Sequence, residues 1–265
     1  MKYLITYANQ KYRYNQLLNK LSAEKLNFFD DFFLFHPRKL ERTFFEKYHD
    51  IAIQEKGGGY WIWKPYIILK IMDKTKEGDL LFYCDSGTVF LKSVEPLCQL
   101  VEQYQQDIIP FEIQCLEKHY TKRDAFILMD CDGAKFTESR QRITTFIILK
   151  NTKFSRTFVE EWFNYAQDAR IITDIPNTSG QPNYPGFKGN RHDQTIYSLL
   201  TKKYDLIGFR DPSQWGNALI SDYPNSTYDQ IMDHTRHRQN PKTRSWLFRQ
   251  LYKLSQKLED EHIGR

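Results

Sequence analysis

At 265 residues, with 40% hydrophobic and 27% charged residues, the chain is long enough for one large α/β domain and has a globular rather than a disordered or fibrous composition. A net charge of +5 favours acidic partners, but the excess is small and no recognised nucleic-acid-binding motif accompanies it, so no nucleic-acid partner is expected. No window approaches the ~18 consecutive apolar residues that a membrane span needs. Cys84, Cys98, Cys115 and Cys131 show neither a C-x-x-C pair nor metal-ligand spacing, which points to thiols in a reducing cytosol.

In chain order, Tyr3-Leu4-Ile5-Thr6-Tyr7 reads as a first buried strand followed by the loop Ala8-Asn9-Gln10. The amino-terminal decapeptide has too short an apolar run for a signal peptide. Leu17, Leu18 and Leu21 share a helical face. Asp31-Phe32-Phe33-Leu34-Phe35 reads as a second strand stopped by His36-Pro37, and Phe44, Phe45 and Tyr48 are again spaced as on a helix. Alternation of this kind predicts an α/β fold with a mostly parallel central sheet flanked by helices.

The stretch from Gly57 to Val89 organises the rest. Three glycines lead into Tyr60-Trp61-Ile62-Trp63 and then Lys64-Pro65, where proline fits a first helical turn because its missing N–H would be unpaired there anyway. Ile67, Ile68, Ile71 and Met72 carry the helix to about Lys74. Gly78-Asp79 turns the chain into Leu80-Leu81-Phe82-Tyr83-Cys84, a continuous apolar run suited to a strand buried on both faces. That strand ends on Asp85-Ser86-Gly87, and the carboxyl ends of such strands are where open α/β sheets bind ligands. The alternative use of Asp85 is to cap the following turn.

Beyond it, Pro96, Leu97, Leu100, Val101 and Tyr104 predict a helix, and 108–113 a strand. Asp130-x-Asp132 is a literal pair of spaced carboxylates, but Asp132-Gly133 is a turn signal and no long buried strand precedes it, so it reads as a structural turn. Thr145–Leu149 reads as a central strand, followed by a capped helix from Ser155 bearing Phe158, Trp162 and Tyr165. Residues 173–190, rich in Pro, Gly and Asn, form the longest loop, which marks them as a lid or binding loop. They run into His192-Asp193-Gln194 at the head of an apolar-periodic helix, where Asp193 is either a helix cap or a functional carboxylate. Tyr204–Phe209 gives a last strand, and His234 and His237 follow a turn-rich loop. Leu247, Leu251, Leu254 and Leu258 then stripe a basic segment after Pro241, a pattern that either lies on an anionic membrane or packs on the domain. The expected division is a domain over 1–240 and a basic amphipathic helix over 241–265.

The glycine turn, the Tyr-Trp-x-Trp-Lys-Pro-Tyr run, the strand ending in Asp-x-Gly and the later His-Asp-Gln together resemble bacterial GT-A-type nucleotide-sugar glycosyltransferases of surface polysaccharide synthesis, which build O-antigen, capsule or lipooligosaccharide. The resemblance follows element order over most of residues 1–240, though only the two motifs are specific. It implies a nucleotide-diphosphate donor, with a UDP-sugar favoured, a saccharide or lipid-linked acceptor, and a cytoplasmic location at the inner face of the membrane. By the same resemblance Thr6, Tyr7 and Ala8 would hold base and ribose, Trp61 or Trp63 would wall the sugar, and Lys64, Asp85, Ser86 and Gly87 would face the donor diphosphate. Asp193 and His192 are the catalytic candidates, Asp193 as the base that takes the acceptor hydroxyl proton or as the clamp on that hydroxyl. Such enzymes usually end the strand in Asp-x-Asp and hold Mn2+ or Mg2+; here Gly87 replaces the second Asp, leaving Asp85 and the late His237 as the metal ligands implied. Two other function classes fit the same sequence: a nucleotidyltransferase on a related fold, and a non-enzymatic nucleic-acid binder using the basic carboxyl-terminal segment.

Overall fold

The structure, a computed structural model, describes residues 1–234. The amphipathic segment 241–265, the boundary expected at 240 and His237 lie outside the described residues. In chain order the strands are β1 (Lys2–Tyr7), β2 (Asp31–Phe35), β3 (Leu80–Cys84), β4 (Thr88–Phe90), β5 (Ile108–Ile109), β6 (Phe111–Leu116), β7 (Arg140–Arg142), β8 (Phe146–Lys150), β9 (Phe209–Arg210) and β10 (Met232–His234). The helices that bear on the site are α1 (Arg13–Glu24), α2 (Trp63–Met72), α3 (Glu95–Gln103), α4 (Arg123–Leu128), α5 (Lys153–Ala166) and α6 (Asp193–Lys203).

The central sheet has the order β2-β1-β3-β8-β5, with a small sheet β7-β6-β9 and the pair β10-β4 beside it. β1 runs parallel to both β2 and β3, whereas β8 is antiparallel to β3 and to β5. The sheet expected to be mostly parallel is therefore mixed. Its reversed strand arises because the chain does not pass from β3 to β8 through one crossover helix, which would force a parallel return. It passes instead through β6 and β7 of the small sheet. The reversal matters for the site: Cys84 pairs with Phe146, so the residues that enter β8 arrive at the carboxyl end of β3.

Side chains alternate across this sheet, as the period-two geometry of strands requires. Ile5, Tyr83 and Ile147 face α2, α5 and α6, while Leu4, Phe82 and Ile148 face α3. No helix among the described residues is long and apolar enough to cross a membrane.

Several elements depart from the sequence reading for identifiable reasons. α1 turns Asn15, Gln16 and Asn19 inward, not Leu17, Leu18 and Leu21. Gln16 donates to the carbonyls of Thr6 and Phe35, and Asn19 to that of Thr88, so the helix docks on strand ends by hydrogen bonds. The expected strand 108–113 divides at Pro110, which has no N–H for a ladder, and β5 and β6 join different sheets. Of the expected last strand only Phe209 pairs, with Arg210 just beyond it, because Gln106 takes both the N–H and the carbonyl of Ile207. The helix expected from Ser155 begins at Lys153; Thr152 is its N-cap, and Ser155 closes a reciprocal capping box.

Candidate functional site

β3 delivers Asp85 to its carboxyl end, and a turn closed by Thr88 N–H to the Asp85 carbonyl carries Ser86 and Gly87. The Asp85 backbone N–H is fixed by the carbonyl of Thr145, 2.9 Å away at the start of β8. Its Oδ1 accepts a 2.7 Å hydrogen bond from the buried Tyr83 hydroxyl and lies 3.4 Å from Lys64 Nζ. The side chain remains 30% exposed, so Asp85 is held from below and open above.

Lys64 comes from the first turn of α2 and is 2% exposed. Its ammonium meets Asp193 Oδ2 at 2.9 Å, and the hydroxyl and carbonyl of Thr144 at 3.1 and 3.2 Å. Burial alone would pull its pKa down, but Asp193 and Asp85 together outweigh that and hold it above the ordinary lysine value. The phosphate contact expected of Lys64 is therefore not available: its donors are engaged inside the protein.

Asp193 opens α6 from the opposite side. It also accepts from Thr144 Oγ1 at 2.9 Å, and its own carbonyl is held by the Trp162 indole. Burial pushes its carboxyl up, against the pull of Lys64 and Thr144. At 3% exposure this carboxylate is sealed, which is not how a base that meets an acceptor hydroxyl is presented. Asp85, Lys64 and Asp193 thus form one cluster, in which two carboxylates share one ammonium and Asp85 carries the outward charge.

His192 is strained. With φ 56° and ψ −116°, and with Gln194 N–H bonded to the Arg191 carbonyl, it occupies the first central position of a type II′ turn, normally a glycine position. Its Nδ1 lies 2.7 Å from the Ile172 carbonyl, which can only accept, so that nitrogen carries the proton. Burial lowers its pKa, and its ring sits against Tyr60 and Trp61. Neither His192 nitrogen points into an open cleft: Nε2 faces Asp174 at 3.9 Å.

The glycine-rich turn explains the wall opposite. Gly57, Gly58, Gly59, Tyr60 and Trp61 all have positive φ, so the chain makes a left-handed turn before α2. A Cβ on Gly57 would lie 2.3 Å from the Trp61 ring, so glycine is needed there for space as well as for conformation. Beneath the turn, Trp63 stacks on Tyr7 with ring centroids 3.7 Å apart and is 3% exposed. Trp63 is therefore core rather than a sugar-facing wall. Tyr7 is buried with it, Thr6 turns its hydroxyl away into the opposite layer, and Ala8 is tied to the Phe35 carbonyl.

The remaining candidates separate cleanly. Asp130 sits exposed in a left-handed turn, and Asp132 is held by Arg123 at 2.8 Å and by the Tyr184 hydroxyl at 2.7 Å. The loop 173–190 is less a free lid than a pinned wall. Asp124 accepts from Thr178 and Ser179, and Asn183 accepts from the Arg123 backbone. His234 is delivered by β10 opposite Thr88, just past the Asp85 turn. Among the described residues no three His, Cys, Asp or Glu side chains cluster as a metal site. Asp85 offers one unengaged oxygen, Oδ2, which fits a divalent ion only as one ligand in a shell otherwise filled by donor phosphate and water. Sequence reasoning missed Tyr83, Thr144 and Trp162. Only Tyr83 carried a signal, since it faces the same side of β3 as the helix bearing Lys64.

No family model and no curated protein matches the sequence. Solved structures match the fold. Mouse xyloside xylosyltransferase 1 in its apo form aligns with a TM-score of 0.50 at 9% identity, over 89% of this chain and 98% of its own. The bifunctional glycosyltransferase WbbM, also apo, gives 0.54 at 8% identity, over 94% of this chain and 51% of its own. Galactosyltransferase LgtC, solved with donor and acceptor sugar analogues, gives 0.49 at 14% identity, over 97% and 96% of the two chains. The α/β architecture of this chain, a mixed central sheet flanked by helices, is that of GT-A glycosyltransferase structures.

Proposed function

We propose that this chain is a glycosyltransferase that moves a sugar from a nucleotide-diphosphate donor to a saccharide or lipid-linked acceptor. The observation that carries this reading is Asp85, a half-open carboxylate at the carboxyl end of a central strand, fixed from below by a sealed Lys64–Asp193 pair within a GT-A fold. Asp85 orients the donor diphosphate. A divalent ion, where one is used, would take Asp85 Oδ2 and offset charge on the departing nucleoside diphosphate. Ser86 and Gly87 bring their turn close to the diphosphate, and His234 stands on the adjoining strand.

Asp193 and Lys64 act as positioning residues. Their pairing holds Asp85 and the start of α6 in one geometry, and that preorganisation keeps a charged group aimed at a reacting centre without reorganisation. The base role first expected for Asp193 is not part of this proposal. The strain at His192 supports the same location, since strained backbone persists where surrounding structure over-determines it, often at functional sites.

A thermal-shift screen against nucleotide-sugars tests the reading. A cognate donor at 100 times its dissociation constant adds about 2.7 kcal/mol of apparent stability. A UDP-sugar is the expected response, and release of nucleoside diphosphate rather than pyrophosphate separates transfer of a sugar from transfer of a nucleotide. A panel with no response at millimolar donor contradicts the proposal.

A further inference from the structure

The Lys64 cluster sets two carboxylates on one ammonium and so offers no free cation to an anionic acceptor group. On the other flank of the α6 start the balance reverses. The Arg191 guanidinium lies 3.7 Å from the Tyr120 ring centroid, and the Lys188 ammonium lies 5.8 Å from the same centroid. Arg191 donates to Gln141 Oε1 at 3.0 Å, its NH2 lies 3.6 Å from Cys115 Sγ, and its backbone N–H is fixed by the Tyr120 carbonyl. Gln194 donates to the same Gln141 oxygen at 2.8 Å.

Neither cation meets a carboxylate among the described residues, whereas Arg123, Arg140, Arg142 and Arg170 each hold one. The acid nearest along this network is Glu117, and Gln141 stands between it and Arg191. Glu117 is already engaged by Lys202, Thr121 and Ser198. Arg191 is thus half-buried, held in one orientation by ring and amide, and left with its charge unmatched. A guanidinium fixed in this way suits planar recognition of a carboxylate or phosphate.

Resting on the transferase reading above, we infer that Arg191, with Lys188, is an oxyanion subsite for the acceptor: the acceptor carries a carboxylate or phosphate near the hydroxyl that is glycosylated. In that reading the donor meets Asp85 at the carboxyl end of β3. Gln141 instead belongs to β7 of the small sheet, Lys188 to the pinned loop, and Tyr120 to the short helix Glu117–Tyr120 that follows β6. Only His192 separates Arg191 from Asp193, so an acceptor anchored there lies beside the Asp85 cluster without occupying it.

Calorimetry on the full chain tests this with three probes: methyl β-glucuronide, glucose 6-phosphate and neutral methyl β-glucoside, each with and without saturating UDP. The charged probes should bind about tenfold tighter than the neutral one, as a charge-assisted pair allows. Arg191→Gln should erase that preference, Arg191→Lys should retain part of it, and Lys188→Gln, at an exposed position, should reduce it. UDP affinity should stay unchanged in all three variants, and each should remain folded. The stronger of the two charged arms names the acceptor's anion. Equal binding of all probes by the wild type overturns the inference. So does loss of UDP affinity in Arg191→Gln, which would make Arg191 a diphosphate contact. Failure of UDP itself to bind, with the charged preference intact, would tell against the transferase reading alone.

Discussion

Lys64 Nζ and Asp193 Oδ2 lie 2.9 Å apart, with both side chains closed to solvent, and the same ammonium reaches Asp85. This pair links the first turn of α2 to the first turn of α6 and supports the one carboxylate that faces out. Removing one partner of a buried pair costs about 3–5 kcal/mol, because the other charge is left uncompensated. Lys64→Met should therefore lower stability by that amount in urea unfolding, and adding Asp193→Leu should restore most of it. A single variant as stable as wild type would show that the pair does not hold the fold. The pH dependence has a definite sign. Lys64 has a folded pKa raised above the unfolded one, so its stabilisation is fully present below about pH 10 and is lost only as pH rises through the higher folded value.

The second prediction concerns the backbone at His192. At the first central position of a type II′ turn, glycine is unstrained and any side chain costs about 1–3 kcal/mol. His192→Gly should be more stable than His192→Ala by about 1 kcal/mol or more, since both lose the Ile172 hydrogen bond and only one relieves the strain. Denaturant midpoints for the two variants decide it. Equal midpoints, or a more stable alanine variant, would mean that the turn relaxes around a side chain.

How much of this was legible in the sequence depended on what each element uses to hold itself in place. β3 was readable to the residue because a continuous apolar run is bounded by Gly78-Asp79 and Asp85-Ser86-Gly87. α2 was readable because Pro65 and the Ile67, Ile68, Ile71 spacing are local signals. α1 was misread on its inner face, since Gln16 and Asn19 dock through hydrogen bonds to strand ends and periodicity reports only apolar contact. The direction of β8 was hidden because a strand's composition does not encode which way it pairs. At the site, Asp85 and the His192-Asp193 pair stood out as residues, but their relation did not. Nothing in the local sequence of Lys64 shows that it is buried between carboxylates contributed by a strand and a helix remote in the chain.

A third prediction follows from the pinned loop. Burial works against charge on Asp124, yet the hydrogen bonds from Ser179 and Thr178 outweigh it and hold the pKa at about 2. This depressed value means that the loop anchor is fully present above the unfolded value near pH 3.9 and is lost as pH falls through about 2. Its contribution is about 2 kcal/mol. Hydrogen exchange should show the 178–179 amides protected at pH 5 and opening below pH 3, and Asp124→Asn should open them at every pH. Protection unchanged in the variant would remove Asp124 as the anchor.

The central claim is that Asp85 faces a nucleotide-sugar. Calorimetric titration of the responding donor into wild type and into Asp85→Asn tests it most directly, because that substitution keeps size and hydrogen bonding while removing charge. Tyr83 donates to Asp85 Oδ1, and an asparagine oxygen can still accept that bond. The account predicts a donor bound by wild type, at least about tenfold weaker binding by Asp85→Asn, which is about 1.4 kcal/mol, and an unchanged unfolding profile. Donor affinity equal in the two proteins would contradict it.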